Sequence, residues 1–256
     1  MRRRVVITGT GAITPLGHTV PALFASLCDG RTAVGPITRF DARTLATSFG
    51  SEVKGFDLAR HLPNADRFAR CGLNTRFALA AAQQALAGAG LLHETGDRSR
   101  FGVYFGVGEG QDNFPALVNA AAAAVVPGAD RSDAARFVAA LGPALDPQAE
   151  VEVEMHTTTG HLAHRFALDG PNASCLTACA AGSQAIGEAA ELIRAGDADV
   201  MLAGGSQSML HPLGVAGFVR LTALSQRNDS PQTASRPFDR TRDGFVIGEG
   251  AGAVVL

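Results

Sequence analysis

Apolar positions recur along this chain with two different periods. Short β-branched runs at Val5-Val6-Ile7, Phe101 to Val107, Ala173 to Thr177, Val200 to Ala203 and Ala253 to Leu256 read as strands. Between them, stretches at about 20–28, 72–89, 157–167 and 180–195 carry apolar residues at helical spacing. In the last of these, Ala185, Ile186, Ala189, Leu192 and Ile193 share a face, and Gly196 is placed to end the helix. Alternating strand and helix predicts an α/β protein with a largely parallel sheet. Residues 113–148 break the pattern: they are Ala-rich, interrupted by Pro115, Pro127, Pro143 and Pro147, and have no continuous period. They read as an excursion from the sheet, with a short packed helix around Ala120 to Ala124. No internal repeat is present.

A length of 256 residues suits one large domain spanning 1–256. The last residues, Ala253-Val254-Val255-Leu256, form an apolar strand with no polar turn behind it. Domains normally end in exposed polar segments, so more chain, or another chain, is expected to follow.

Composition narrows the function classes. With 46% hydrophobic and 18% charged residues the chain is ordinary for a globular protein and excludes general disorder. Lys and Arg total 22 against 24 Asp and Glu, a net charge of -2 that offers no global attraction to nucleic acid or to an anionic membrane. Arg2-Arg3-Arg4 precedes too short an apolar run for a signal peptide, and no run approaches the ~18 apolar residues that span a bilayer, so a cytoplasmic location is expected. Glycine accounts for 30 of the 256 residues, and with one Tyr and no Trp the interior must rely on small side chains and closely approaching backbones. Cys28, Cys71, Cys175 and Cys179 form no CxxC pair and no disulfide framework, so reduced thiols are expected.

Three motifs resemble sites without completing them. Gly9-Thr10-Gly11 follows an apolar run as a dinucleotide fingerprint would, but Thr14 stands where the third glycine belongs. Gly204-Gly205-Ser206-Gln207-Ser208 approaches a GxSxG nucleophile elbow but ends in serine. His156, His161 and His164 cluster on a predicted helix with 161 and 164 on one face, yet no Cys or His at helical or strand spacing adds a ligand. They read as a partly buried polar face. Neither a metal nor a cofactor is expected.

The sharper signal is Ser174-Cys175-Leu176-Thr177-Ala178-Cys179-Ala180-Ala181-Gly182-Ser183. A buried strand ends near Thr177, and Cys179 lands at the start of the following helix. The unpaired amides and dipole there stabilise a thiolate. The small residues Ala178, Ala180, Ala181 and Gly182 let an acyl group approach and leave a backbone N–H free for an oxyanion. Cys175, inside the strand, reads as structural.

With these residues in view, the chain resembles the elongating β-ketoacyl-acyl carrier protein synthases of the thiolase superfamily. The resemblance is carried by Val5 to Gly11, Gly170-Pro171, Thr177 to Gly182, Gly196 to Gly205, Pro212 to Val215, Ala223-Leu224-Ser225, Ser235 to Asp239 and Arg242 to Gly252, in family order. It implies the first half of a thiolase-like fold, a layered α-β-α arrangement with a mixed, mostly parallel sheet. It implies Cys179 as the nucleophile that takes an acyl chain from acyl carrier protein, before condensation with malonyl-loaded carrier in fatty acid or polyketide synthesis. Ala178 and Phe218 correspond to substrate-pocket positions, and Glu109 stands where the family usually has a small or apolar one.

The family's carrier protein is acidic, and Arg67, Arg70 and Arg220 are candidates to steer it. Arg236, Asp239, Arg242, Asp243 and Glu249 lie in family motifs and read as architectural. The two histidines and the lysine that the family uses for decarboxylation, in His-Gly-Thr and downstream Gly-His motifs, have no counterpart here. Gly160-His161 precedes Cys179 and belongs to an upstream segment. The resemblance therefore implies an N-terminal half that is inactive in condensation by itself, working in a homodimer or with a complementing second half. The alternative is a non-catalytic interaction subunit.

Overall fold

In the run Phe101–Val107, Phe101, Val103, Phe105 and Val107 belong to one buried cluster, while Tyr104 between them packs against others. That alternation makes a sheet covered on both faces. The computed structural model describes residues 3–92, 96–108, 110, 113–128 and 130–256. In chain order the elements are β1 (Gly9–Ile13), α1 (Val20–Cys28), β2 (Gly35–Pro36), β3 (Phe49–Gly50), α2 (Leu73–Gly88), β4 (Phe101–Val107) and α3 (Phe114–Ala124). There follow α4 (Ala134–Leu141), α5 (Pro147–Val151), α6 (Met155–Phe166), β5 (Asn172–Cys175), α7 (Ala181–Ala195), β6 (Val200–Ser208), α8 (Pro212–Arg220) and β7 (Glu249–Val255).

Five strands form the main sheet in the order β1-β7-β6-β4-β5, and β2 and β3 make a small separate ribbon. β4 pairs in parallel with β5 and β6, whereas β7 runs antiparallel to both β6 and β1. The layered, mixed arrangement is therefore as expected, with parallel pairing confined to β6-β4-β5. Side-chain alternation is the same for either strand direction, so the sequence pattern could not divide the two. α2 and α6 cover one face, with Phe77, Leu79 and Leu162 meeting Val103, Phe105, Leu202 and Val255. α7 covers the other, where Ala189 and Ile193 meet Met201 and Ala203.

Several sequence expectations are met closely. The helices predicted at 20–28 and 72–89 match α1 and α2, and Gly196, at φ +88°, ends α7 in the left-handed region. The excursion holds α3, α4 and α5 in place of one short helix, each entered through a side chain, Asn113, Asp133 or Asp146, that accepts a backbone amide. The predicted strand at Val5-Val6-Ile7 does not form, and Val6 and Ile7 are exposed. The antiparallel ladder with β7 begins at Gly9, opposite Val255. Gly204-Gly205 lies within β6, and Gly250 and Gly252 lie within β7, so these are strand glycines.

The incomplete nucleotide fingerprint has a packing explanation. A Cβ on Gly11 would sit 1.9 Å from the Ala81 carbonyl oxygen, and one on Gly9 would sit 2.0 Å from that of Ala85. These glycines bring α2 against β1. The incomplete serine elbow is likewise strand: Ser206 is buried in β6, and the Ser208 hydroxyl donates to Glu249.

Candidate active site

β5 carries the chain to the cysteine elbow. Past Cys175, residues Leu176 and Thr177 lead into one 3-10 turn, Ala178–Ala180, and then directly into α7. Ala178 has φ +51°, a left-handed conformation that costs a non-glycine residue about 1–2 kcal/mol. The next residue, Cys179, is exposed. Cys175 is buried, its thiol donates to the Ala181 carbonyl over 3.4 Å, and burial pushes that thiol up from its usual range. The two cysteines thus divide as expected, one facing outward from the elbow and one anchoring it.

Close backbone packing seats the elbow. A Cβ on Gly106 of β4 would lie 2.4 Å from the Ala181 carbonyl carbon, and one on Gly205 of β6 would lie 2.9 Å from the Gly182 Cα. The first turn of α7 therefore rests on two neighbouring strands, just after Cys179. Two of the leading amides are already engaged, Ala180 with the Thr177 carbonyl and Ala181 with the Ala178 carbonyl, while the dipole of α7 favours negative charge at this end. Ala178→Val is expected to cost about 2 kcal/mol in a denaturant titration, because a β-branched residue resists the left-handed region, while Ala178→Gly should keep full stability. Equal stability of the Val and Gly variants would show that the elbow does not depend on this conformation.

Phe218 lies on α8 in a different cluster from the one beneath the elbow. It packs near Ile37, Leu210 and Val215 and meets Phe245 edge-on with ring centroids 5.5 Å apart. Glu109 lies outside the described residues. Arg67 and Arg220 are exposed, and Arg70 donates to Gln148 over 2.8 Å.

The motif charges are tied into loops and strands. Asp243 accepts from the Ser225 hydroxyl and the Gln226 amide, which with the nearby Arg236 charge hold its carboxyl below the usual range. Arg236 donates to the Thr241 hydroxyl and carbonyl, and Arg242 donates to the Asp239 carbonyl. Glu249 has no exposed side-chain surface and accepts four hydrogen bonds: two from Arg39, one from the Val53 amide and one from the Ser208 hydroxyl.

The histidine cluster is divided by the fold. His156 and His164 are exposed. His161 instead turns its Nε2 to the Glu152 carboxylate, at 2.9 and 3.0 Å, and to the Cys71 sulfur at 3.4 Å. The expectation that no cysteine reaches this group is therefore corrected: Cys71 stands ninety positions earlier in sequence, so no local spacing could reveal it. Burial, with Glu152 alongside, pushes the Cys71 thiol up to about 12, which leaves it no nucleophile at neutral pH. His161 is thus engaged with Cys71 and Glu152.

Comparison with known proteins places the chain in a family. The family described as "Beta-ketoacyl synthase, N-terminal domain" matches residues 2–256. The chain is 40% identical over 255 residues to a 3-oxoacyl-[acyl-carrier-protein] synthase 2 from Synechocystis, all of this chain aligning with 58% of that protein. Among solved structures, a β-ketoacyl synthase from Burkholderia phymatum superimposes on the whole chain with TM-score 0.81 and 33% identity, over 59% of its own length. A type II polyketide ketosynthase, solved in complex with its acyl carrier protein and bound to the hexaketide, gives TM-score 0.75 at 27% identity, over 58% of its length. The chain thus spans somewhat more than half the length of these relatives. Its sheet, its elbow and a family match over nearly every residue agree, and the chain belongs to the β-ketoacyl synthase N-terminal domain family.

Proposed function

We propose that this chain supplies the acyl-accepting half of a 3-oxoacyl-[acyl carrier protein] synthase. The observation that carries the reading is Cys179, exposed on a left-handed turn immediately ahead of α7. Its thiolate attacks the carbonyl carbon of an acyl thioester on the carrier protein. A new carbon–sulfur bond forms, and the positive end of the α7 dipole favours the tetrahedral oxyanion. The carrier's thiol then leaves and takes up a proton. Splitting the reaction in this way replaces one difficult condensation by two easier steps.

The second step, decarboxylation of malonyl-carrier protein and attack of the resulting carbanion on the Cys179 thioester, needs proton-handling groups. The histidine motifs that serve that step in the family, His-Gly-Thr and a downstream Gly-His, have no counterpart in this sequence, and His161 is held by Glu152. The proposal assigns it to the remainder of a longer synthase or to a complementing second half, with the complete enzyme working as a dimer in the cytoplasm. Arg67 and Arg220, exposed and carrying positive charge, would meet an acidic carrier protein.

Incubating the chain with acyl-carrier protein and weighing it intact tests the reading. The expected result is one acyl adduct and no β-ketoacyl product when malonyl-carrier protein is added. Condensation by this polypeptide alone would overturn the division of labour. Absence of any adduct, from a chain shown to be folded, would favour a non-catalytic interaction subunit.

A further inference from the structure

Away from the elbow, three side chains of metal-ligating type converge. Cys71 lies just ahead of α2, Glu152 follows α5 and His161 is within α6; one ligand atom from each lies within 4.8 Å of the others. We propose that Cys71, Glu152 and His161 form a site for a divalent cation of the zinc class, held by thiolate, carboxylate and imidazole, with a fourth position open to the adjoining cavity.

Each ligand is held by its surroundings. The Cys71 amide donates to the Phe68 carbonyl over 3.1 Å, and the Glu152 amide donates to that of Ala149 over 3.1 Å. The His161 ring stands edge-on to Phe68, with centroids 5.7 Å apart and planes at 87°. Fixed orientation of this kind is what a metal site requires.

The spacing is close to that of a tetrahedral site. Zinc–sulfur and zinc–nitrogen bonds of about 2.3 and 2.05 Å place those two ligand atoms about 3.5 Å apart, and nitrogen and oxygen about 3.3 Å apart. Here the sulfur–nitrogen separation is 3.4 Å and the nitrogen–oxygen separations are 2.9 and 3.0 Å, so those two edges need movements of a few tenths of an ångström, and the sulfur–oxygen edge is within 4.8 Å.

Soft thiolate together with imidazole selects zinc over magnesium or calcium, which prefer oxygen alone. Metal binding displaces the Cys71 proton to solvent, and the resulting thiolate and the carboxylate together balance a dication. A cavity of about 310 Å³, lined by Cys71, Glu152, Arg76 and Asn113 among others, leads to the cluster and leaves room for a water or an anionic fourth ligand. The buried Arg76 Nε in that wall has no hydrogen-bond partner among the described residues, and an anion bound there would supply one.

The test uses the full chain, stripped with chelator and carrying Cys28→Ser and Cys179→Ser so that the two exposed thiols do not bind metal. Titration with Co2+ as a spectroscopic stand-in for zinc should give a thiolate-to-cobalt charge-transfer band that saturates at one equivalent and is displaced by Zn2+. Cys71→Ser should abolish the band. Glu152→Gln, which keeps the side chain's shape, should weaken Zn2+ binding by about tenfold or more. No band, a band that survives Cys71→Ser, or unchanged affinity in Glu152→Gln would overturn the proposal. The last variant decides the matter if Cys71→Ser fails to fold.

Discussion

Cys179→Ala is expected to abolish acylation of the chain, with no adduct by intact mass at any carrier concentration. Cys179 stands exposed beside the start of α7, where the helix favours negative charge, and the Ala side chain has no atom that can form the thioester. The contrast with the other cysteines makes the result specific. Cys175→Ala should still acylate, because its thiol is buried against the Ala181 carbonyl, while losing about 1 kcal/mol of stability. Cys28→Ala, at an exposed position, should change neither property. An adduct retained by Cys179→Ala and mapped to another thiol would end the assignment.

Glu249→Ala is expected to lower unfolding free energy by about 3 kcal/mol, the largest stability loss predicted for an ionic contact in this chain. The carboxylate joins three parts of the fold: Arg39 at 2.6 and 2.7 Å, the Val53 amide at 2.9 Å, and Ser208 at the end of β6 at 2.7 Å. Removing it leaves the Val53 amide and the Arg39 guanidinium without their acceptor. Arg39 retains 29% side-chain exposure and lies near the Glu52 charge, so water and Glu52 offset part of the loss. Glu249→Gln should lose about half as much, since the amide keeps one acceptor oxygen. Chemical denaturation of the three proteins measures the order, and equal stabilities would show that packing rather than the ion pair holds this corner.

The two predictions rest on different kinds of legibility. Cys179 could be found because its surroundings are contiguous: strand, turn and helix start occupy residues 172 to 183, and their small side chains are visible in the sequence. Glu249 lies in an equally recognisable motif, but its partners Arg39 and Val53 come from near the other end of the chain, so the sequence marked it as architectural without saying what it held. Phe218 illustrates a further limit: its edge-on contact with Phe245 is one that no periodicity announces.

The glycine excess was read as a requirement for close backbone approach, and Gly9, Gly11, Gly106 and Gly205 are where that occurs, each at a helix crossing a strand. What the sequence could not indicate was which crossings, because contact between a strand and a helix, seventy or more positions apart for Gly9, Gly11 and Gly106, depends on the order of strands in the sheet. Direction was hidden for the same reason: β7 alternates in burial as a parallel strand would, and only pairing with β1 and β6 makes it antiparallel.

By itself, then, the sequence determined most of the elements, the layered class and the family, and it marked Cys179 as the candidate nucleophile, since each is written in local period or in one unbroken motif. Tertiary structure alone decided the mixed strand directions, the four-bond environment of Glu249 and the meeting of Cys71 with Glu152 and His161. Those features depend on side chains brought together across long stretches of chain, where the governing distance is set by packing and leaves no mark on sequence spacing.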